Sequence, residues 1–410
     1  MAIKKTRFWV TKRGWVTLMI AVTSFFIAMV NISLAACVVS ALLCAIFLGS
    51  LLMGIFSLKG IDVVRLPTQD GILGQAMLLP VRVTNKLKRF RQTCVLIEEA
   101  PFAENGIIYT PVFALAPYEE RLIKRQITAE RRGGFHLDTL VIRGGDPAGL
   151  FYWQRRFSFP MDLTIFPMQV TLPVVPLQLR HRIVASMTGQ SIGVSGLGQE
   201  FFGVRPYRPT DGIRFVHWKA SARQRQLMVR EFEENTIHQI SILLDNDINQ
   251  MTNEGRKSNF EMLVTCASSL VNYLSGVYCR VLFATGRKGA SIVHAGQGPS
   301  VREDIRHSLA LLGTCKVHAL EVFEEVIDRI PANSVVYVLS MTPPKDLEAA
   351  LGLLIRQRCD VRLMLAPGDQ FKEYSWPMRR PNMKAPPAIH GIVPDMLAPD
   401  APLADIFAQG

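Results

Sequence analysis

The chain has 410 residues, enough for two or three domains, each with its own hydrophobic core. Its 46 basic and 34 acidic residues give a formal net charge of +12, but the cations are interspersed with acids and form no aromatic–basic module, so nucleic acid is not expected as a partner. Seven cysteines without a CxxC pair supply neither a zinc site nor a disulfide framework.

The first element is a long apolar segment. No charged residue occurs between Gly14 and Leu58, enough for two bilayer-crossing helices near Trp15–Val30 and Leu34–Phe56, with Asn31-Ile32-Ser33 as the turn. A signal peptide is the competing reading; it needs a shorter apolar core and a small-residue cleavage site. Lys4, Lys5, Arg7, Lys12 and Arg13 precede the segment, Lys59 and Arg65 follow it, and the turn carries no cation. Positive flanks stay on the cytoplasmic side, so residues 1–58 read as a two-helix membrane hairpin of the cytoplasmic membrane with both ends facing the cytoplasm. Its contacts are membrane lipids, and the surplus of cations suits anionic ones.

Residues 59–180 read as a small all-β, sandwich-like domain. The β-prone runs are Ala76–Asn85, Thr93–Glu98, Arg121–Thr128, Leu137–Arg143 and Leu163–Phe166, separated by turn residues such as Gly133-Gly134 and Gly144-Gly145-Asp146-Pro147.

Residues 181–236 form a connector with unusual chemistry. Gly189, Gly193, Gly196 and Gly198 suggest a flexible linker. Directly after them, Arg205, Tyr207, Asp211, Arg214, Trp218 and Arg223 crowd into one short segment. Guanidinium groups fork onto carboxylates and stack on rings, so this segment can knit an internal polar clamp or grip an anion or partner. His217 is expected as a hydrogen-bonded structural residue rather than a base.

Residues 237–370 alternate strands and helices: strands at Ile237–Leu244, Cys279–Ala284, Ser334–Ser340 and Val361–Ala366, helices at Asn259–Leu274, Val301–Leu312, Ala319–Ile330 and Lys345–Arg358. Continuous apolar strands between helices argue for a parallel sheet covered on both faces. Asp245, Asp247 and Asn249 follow the first of these strands, where such sheets place ligands. Their oxygens suit Mg²⁺ or another divalent cation, and they equally suit a turn closed by Asx bonds. Residues 371–410 form a proline-rich tail, with seven prolines from Trp376 onward, expected to be irregular.

The segment from Gly198 to Arg223 resembles the core motif of a large bacterial family of unknown function, whose members carry a von Willebrand factor A-like domain behind a membrane anchor. Arg132-Gly133-Gly134-Phe135 and Asp146–Phe151 are similar to the β region of the same family. The resemblance implies an α/β von Willebrand A-like (Rossmann-type) fold for 237–370. It also implies an adaptor that works beside a MoxR-type AAA+ ATPase in protein assembly or maturation. Such domains bind a divalent ion through Asp-x-Ser-x-Ser; here Asp247 and Asn249 replace the serines, Ser340 or Thr342 stands where an Asp is common, and Thr314 is the candidate for the middle threonine. His217 replaces an acidic residue. The expectation is a non-enzymatic membrane adaptor with a degenerate site. The alternative is a divalent-metal-dependent hydrolase using Asp245 and Asp247, for which no Walker loop, Gly-x-Ser-x-Gly elbow or His-Glu-x-x-His motif offers support.

Overall fold

The computed structural model describes residues 5–31, 34–173, 175, 201–208, 213, 216–232, 238–277, 279–287, 290–372, 386–399 and 402–409. The glycines from 189 to 198, and Asp211 and Arg214 of the motif, lie outside the described residues. Two compact units divide the chain: Met1–Met168 with His307–Leu312, and Gln169–Arg306 with Gly313–Gly410.

The first unit opens with a strand where the sequence predicts only a charged flank. β1 (Lys5–Val10) pairs antiparallel with a strand more than a hundred residues later, Trp9 facing Tyr152 and Val10 facing Phe151. Thr11 then starts α1 (Lys12–Asn31), its hydroxyl accepting from the Gly14 amide at 3.0 Å as an N-cap. α2 (Leu34–Ser57) returns antiparallel to α1. Both helices are long and apolar enough to cross a membrane, and their outer surfaces carry exposed Phe26, Met29, Leu34 and Leu42. β1 precedes the hairpin in sequence and its partner strand follows it.

The β part of this unit contains β2 (Ile61–Arg65), β3 (Gly71–Ile72), β4 (Ala76–Asn85), β5 (Cys94–Glu99), β6 (Ile107–Val112), β7 (Glu120–Thr128), β8 (Gly133–Gly145) and β9 (Phe151–Phe166). One sheet runs β1-β9-β8-β5-β6 with β3 paired to β9; a second runs β2-β4-β7. Strict alternation makes the sandwich. On β4, Met77, Leu79, Val81 and Val83 are buried while their neighbours face out. Between the sheets, Val63, Val81 and Val83 meet Leu96, Leu140 and Ile142. β9 is far longer than the Leu163–Phe166 run expected, because Arg155, Arg156 and Asp162 interrupt its apolar pattern while still pairing with β8, and the strand continues past a register shift at Phe159–Pro160.

One inward position on β5 is a carboxylate. Glu98 forms ion pairs with Arg65 of β2 and, at 2.5 Å, with Arg125 of β7, so it joins the two sheets. Arg65 also donates to the Leu137 carbonyl at 2.7 Å, and Arg125 Nε to the Leu79 carbonyl at 3.0 Å. Burial pulls the Arg125 guanidinium below its ordinary range, opposed by Glu98. Arg65, counted in the sequence reading as a flanking charge of the hairpin, is therefore a core residue.

α2 is seated on the inner side of β9. A Cβ at Gly54 would overlap the Trp153 ring, and the Phe47 and Phe151 rings meet edge-on at 4.9 Å. Arg91 Nη1 donates to the Phe56 carbonyl at 2.8 Å, a cation closing the helix C-terminus.

The second unit holds a small hairpin and a sheet. β10 (Phe201–Pro206) and β11 (Met228–Phe232) pair antiparallel around α3 (Trp218–Gln224). The sheet contains β12 (His238–Leu244), β13 (Cys279–Arg287), β14 (Ala290–Gln297), β15 (Val335–Ser340), β16 (Asp360–Leu365) and β17 (Asp395–Met396). Its order is β14-β13-β12-β15-β16-β17, parallel throughout except for the β14 edge. Around it lie α4 (Asn259–Leu274), α5 (Pro299–Leu311), α6 (Ala319–Ile327), α7 (Glu348–Arg356), α8 (Gly368–Phe371) and α9 (Leu403–Gln409). β15 is buried at all six positions, as a strand covered on both faces must be. The tail expected to be irregular supplies β17 at one edge of the sheet and α9, whose Phe407 ring sits 6.2 Å from Tyr337.

Buried thiols line both units. Burial pushes the Cys94 thiol up to about 12 and the Cys279 thiol to about 11, so they act as small apolar groups.

Candidate functional site

The carboxyl ends of β12 and β15 lie side by side at the point where the chain winds off in both directions from the first strand, the position at which α/β sheets build sites. β12 is buried from Ile240 onward and delivers Asp245, Asn246 and Asp247 into the interior, 1%, 2% and 0% exposed.

Asp245 is filled with donors. Its Oδ2 accepts from the Ser340 hydroxyl at 2.7 Å, the Thr342 hydroxyl at 2.8 Å, and the Met341 and Thr342 amides at 2.9 and 3.1 Å. Its Oδ1 accepts from the Asp247 amide at 2.9 Å. The residues expected at the end of the fourth strand, Ser340 and Thr342, are thus brought to Asp245 as hydrogen-bond donors.

Asp247 repeats the local turn. Its Oδ1 accepts from the Asn249 amide and from Asn249 Nδ2, both at 2.9 Å. Asp-x-Asp-x-Asn here is two successive Asx turns. Asp247 Oδ2 is buried without a hydrogen-bond donor, and the His318 imidazole Nε2 lies 3.9 Å from it. Asn246 bridges the Gly286 and Gly313 carbonyls at 2.8 and 3.0 Å, and a Cβ at Gly286 would come within 2.7 Å of its Oδ1. Cys315, rather than Thr314, pairs its backbone with Asp247. Burial raises the Cys315 thiol above its ordinary range, with Asp247 and Asp245 adding to the rise.

This donor set does not fit a divalent ion as placed. The Asp245 Oδ2 is taken by the Ser340 and Thr342 hydroxyls, Asp247 Oδ1 by Asn249, and Asn249 presents its amide nitrogen rather than its oxygen to Asp247. Among the described residues, no cluster of three or more His, Cys, Asp and Glu side chains is arranged to hold a metal. Beside the loop, a crevice of about 520 Å³ opens between Asn249, Gln250, Thr252, Thr342, Pro367 and Lys372.

The arginine–tryptophan motif builds a separate rigid piece. Arg205 pairs through its backbone with Val229, and the Tyr207 amide donates to the Leu227 carbonyl at 2.8 Å. His217 caps α3: its Nδ1 accepts from the Ala220 amide at 3.2 Å, and its own amide donates to Met228 O at 2.7 Å. Ser221 Oγ ties the same turn to Met228, accepting from its amide at 2.8 Å. Trp218, by contrast, is 66% exposed. Lys219, Arg223 and Arg225 are exposed on the same short stretch, with Leu227 and Ile213 also open to solvent. The signal that could have separated these roles was the cap position: a His directly before a helix start binds backbone, freeing the following Trp to face out.

Residues 203–351, from β10 into α7, match the family described as "Protein of unknown function DUF58". A curated relative, "Uncharacterized protein YeaD" of Bacillus subtilis (strain 168), is 31% identical over 121 residues, 28% of this chain and 28% of that protein. The chain therefore spans under a third of the relative's length in this match. The matched family segment contains both the Asp245 loop and the Trp218 helix.

Proposed function

We propose that this chain is a membrane-anchored, non-enzymatic adaptor, whose von Willebrand A-like unit presents α3 and the carboxyl edge of its sheet to a MoxR-type AAA+ ATPase. The observation that carries this reading is Trp218: a large ring two-thirds exposed on a helix fixed by a cap and two ties to β11. An exposed Trp among arginines is the composition of an interface hot spot, and a pre-organised backbone lowers the entropy lost on binding. The doubly wound sheet, with its aspartate loop after the first strand, supports the von Willebrand A-like assignment. The hairpin holds the unit at the cytoplasmic membrane, and basic flanks at Arg7, Lys12, Arg13 and Lys59 favour the cytoplasmic face.

In this reading the Asp245 loop is a metal-free structural latch. A hydrolase built on Asp245 and Asp247 needs both carboxylates on one ion, and the donors already on Asp245 Oδ2 count against it. The test is crosslinking of the tagged full chain in its membrane, followed by identification of captured proteins. Recovery of an AAA+ ATPase is expected, and Trp218→Ala should weaken that capture by roughly 30-fold, the effect of losing about 2 kcal/mol at a hot spot. Capture of the ATPase unchanged by Trp218→Ala would sink the proposed surface; no ATPase with the wild-type chain would sink the adaptor reading.

A further inference from the structure

The outward side chains of β1, β9 and β8 lie in register, and their chemistry changes row by row with distance from the hairpin. The row beside α1 holds Trp9, Tyr152 and Gly145; the next holds Arg7, Gln154 and Arg143; the third holds Arg156 and Val141. Three of these eight positions are cations and none is a carboxylate. Trp9 and Tyr152 stack with centroids 5.5 Å apart, and the Arg143 guanidinium lies 4.9 Å over the Tyr152 ring. With the Gln154 amide turned so that its oxygen faces the guanidinium, Arg143 donates to it at 2.8 and 2.6 Å. Arg7 and Arg156 are exposed.

The opposite side of the same strands is apolar and belongs to the hairpin. Phe8 stacks on Phe151 at 5.6 Å, Phe151 meets Phe47 of α2, and Trp153 fills the space above Gly54. Thr11 alone separates β1 from α1, so the face is held at the level where α1 begins. Moving away from the hairpin, the order is apolar, then Trp–Tyr, then Arg. A bilayer leaflet has that order from its core outward, with aromatic rings at the interface and cations among the phosphates. The spacing agrees too: same-face rows are about 7 Å apart, close to the roughly 5–8 Å depth of a headgroup layer.

We propose that this three-stranded face is a docking surface for anionic phospholipid headgroups of the bilayer that holds the hairpin. Arg7, Arg143 and Arg156 take the phosphates, and the Trp9–Tyr152 pair sits at the glycerol level. The assignment rests on the membrane-anchor reading above. The rigid stack beneath Arg143 gives a fixed cation, while Arg7 and Arg156 reach the surface from adjacent strands.

The test uses the full chain in two steps. First, it is reconstituted into vesicles of phosphatidylcholine alone and of phosphatidylcholine with phosphatidylglycerol, and carbonate-resistant incorporation is measured. Second, the protein is extracted in mild detergent and the two lipids that remain bound are counted by native mass spectrometry. Incorporation into both vesicles, with preferential retention of phosphatidylglycerol, is expected. Arg7→Ala with Arg156→Ala should lower that preference by about fivefold per arginine, and Lys replacements at both positions should restore it. Both positions are exposed, and an unchanged thermal melt of the double variant verifies its fold. Lys345→Ala with Arg358→Ala, in the other unit, should leave the preference unchanged. Incorporation with equal retention of the two lipids, or a preference untouched by the double variant, would overturn the lipid face and leave the anchor standing. Failure to incorporate into either vesicle would overturn the anchor reading, and the lipid face with it.

Discussion

At Glu98 a carboxylate with no exposed side-chain surface lies between Arg65 and Arg125, which keep 4% and 2% of theirs. Taking such charges out of water costs several kcal/mol per ion, so the triad is weak evidence for added stability; breaking it is another matter. Glu98→Ala leaves two buried guanidinium groups without their counter-charge, and chemical denaturation should show a loss of about 3–5 kcal/mol. Arg65→Met, Glu98→Leu and Arg125→Met together should cost far less, since no charge remains unpaired. Asp245 poses the same question with neutral donors. Asp245→Ala takes the carboxylate from two hydroxyls and three amides, and a loss of about 3 kcal/mol or more is expected in denaturant titration. Because those donors fill the carboxylate, the melting temperature should be the same in chelator and in excess Mg²⁺. A cation bound at a hundredfold excess over its Kd would add about 2.7 kcal/mol and raise it by several degrees, and such a rise would refute the metal-free latch.

Helix α2 shows what a single small residue does for an element. Gly54 has no side chain where the Trp153 ring lies, and this close approach lets the last turns of α2 seat on β9. Gly54→Leu should dislodge the ring and unseat the helix, lowering the detergent-phase melting temperature while leaving the helix content from circular dichroism nearly unchanged. Gly49, with open space around it, should accept the same substitution with little effect. Elements whose own pattern decides them were legible in the sequence: the two apolar helices, the buried strands β12, β15 and β16, and the amphipathic α4. Those decided by a distant partner were not. β1 reads as a basic flank because Arg7 and Trp9 alternate with Phe8 in a strand whose pairing lies with β9. β14 carries no apolar run, since it is an edge strand, and β17 is only two residues long. The candidate site was legible as residues but not as contacts. The Asp245 loop was placed at the right strand end, yet nothing in its spelling says that Ser340 and Thr342 would spend their hydroxyls on it. His217 as a cap, and Trp218 facing solvent, follow from a helix start that the proline-rich approach conceals.

At the scale of the whole molecule, the hairpin is an insertion between two strands of one sandwich, and β1 belongs to the β unit by pairing although α1 and α2 separate it in sequence. The partner-reading surface proposed on α3 lies in the other unit, so variants at Trp218 and variants at Arg7 and Arg156 should act on separate readouts and combine additively. The pairing of β1 with β9 also imposes a schedule on biosynthesis. Lys5–Val10 leaves the ribosome before β9, and its partner residues 151–156 are made only about 140 residues later. At roughly 5–20 residues per second, the strand waits some 7–30 seconds with both edges open. On the membrane-anchor reading proposed above, α1 and α2 reach the membrane insertion machinery during that interval and keep the waiting strand at the bilayer surface. On that reading the anchor is also a holdfast for an unfinished sheet, confining the search of β1 for its partner to the place where β9 will emerge.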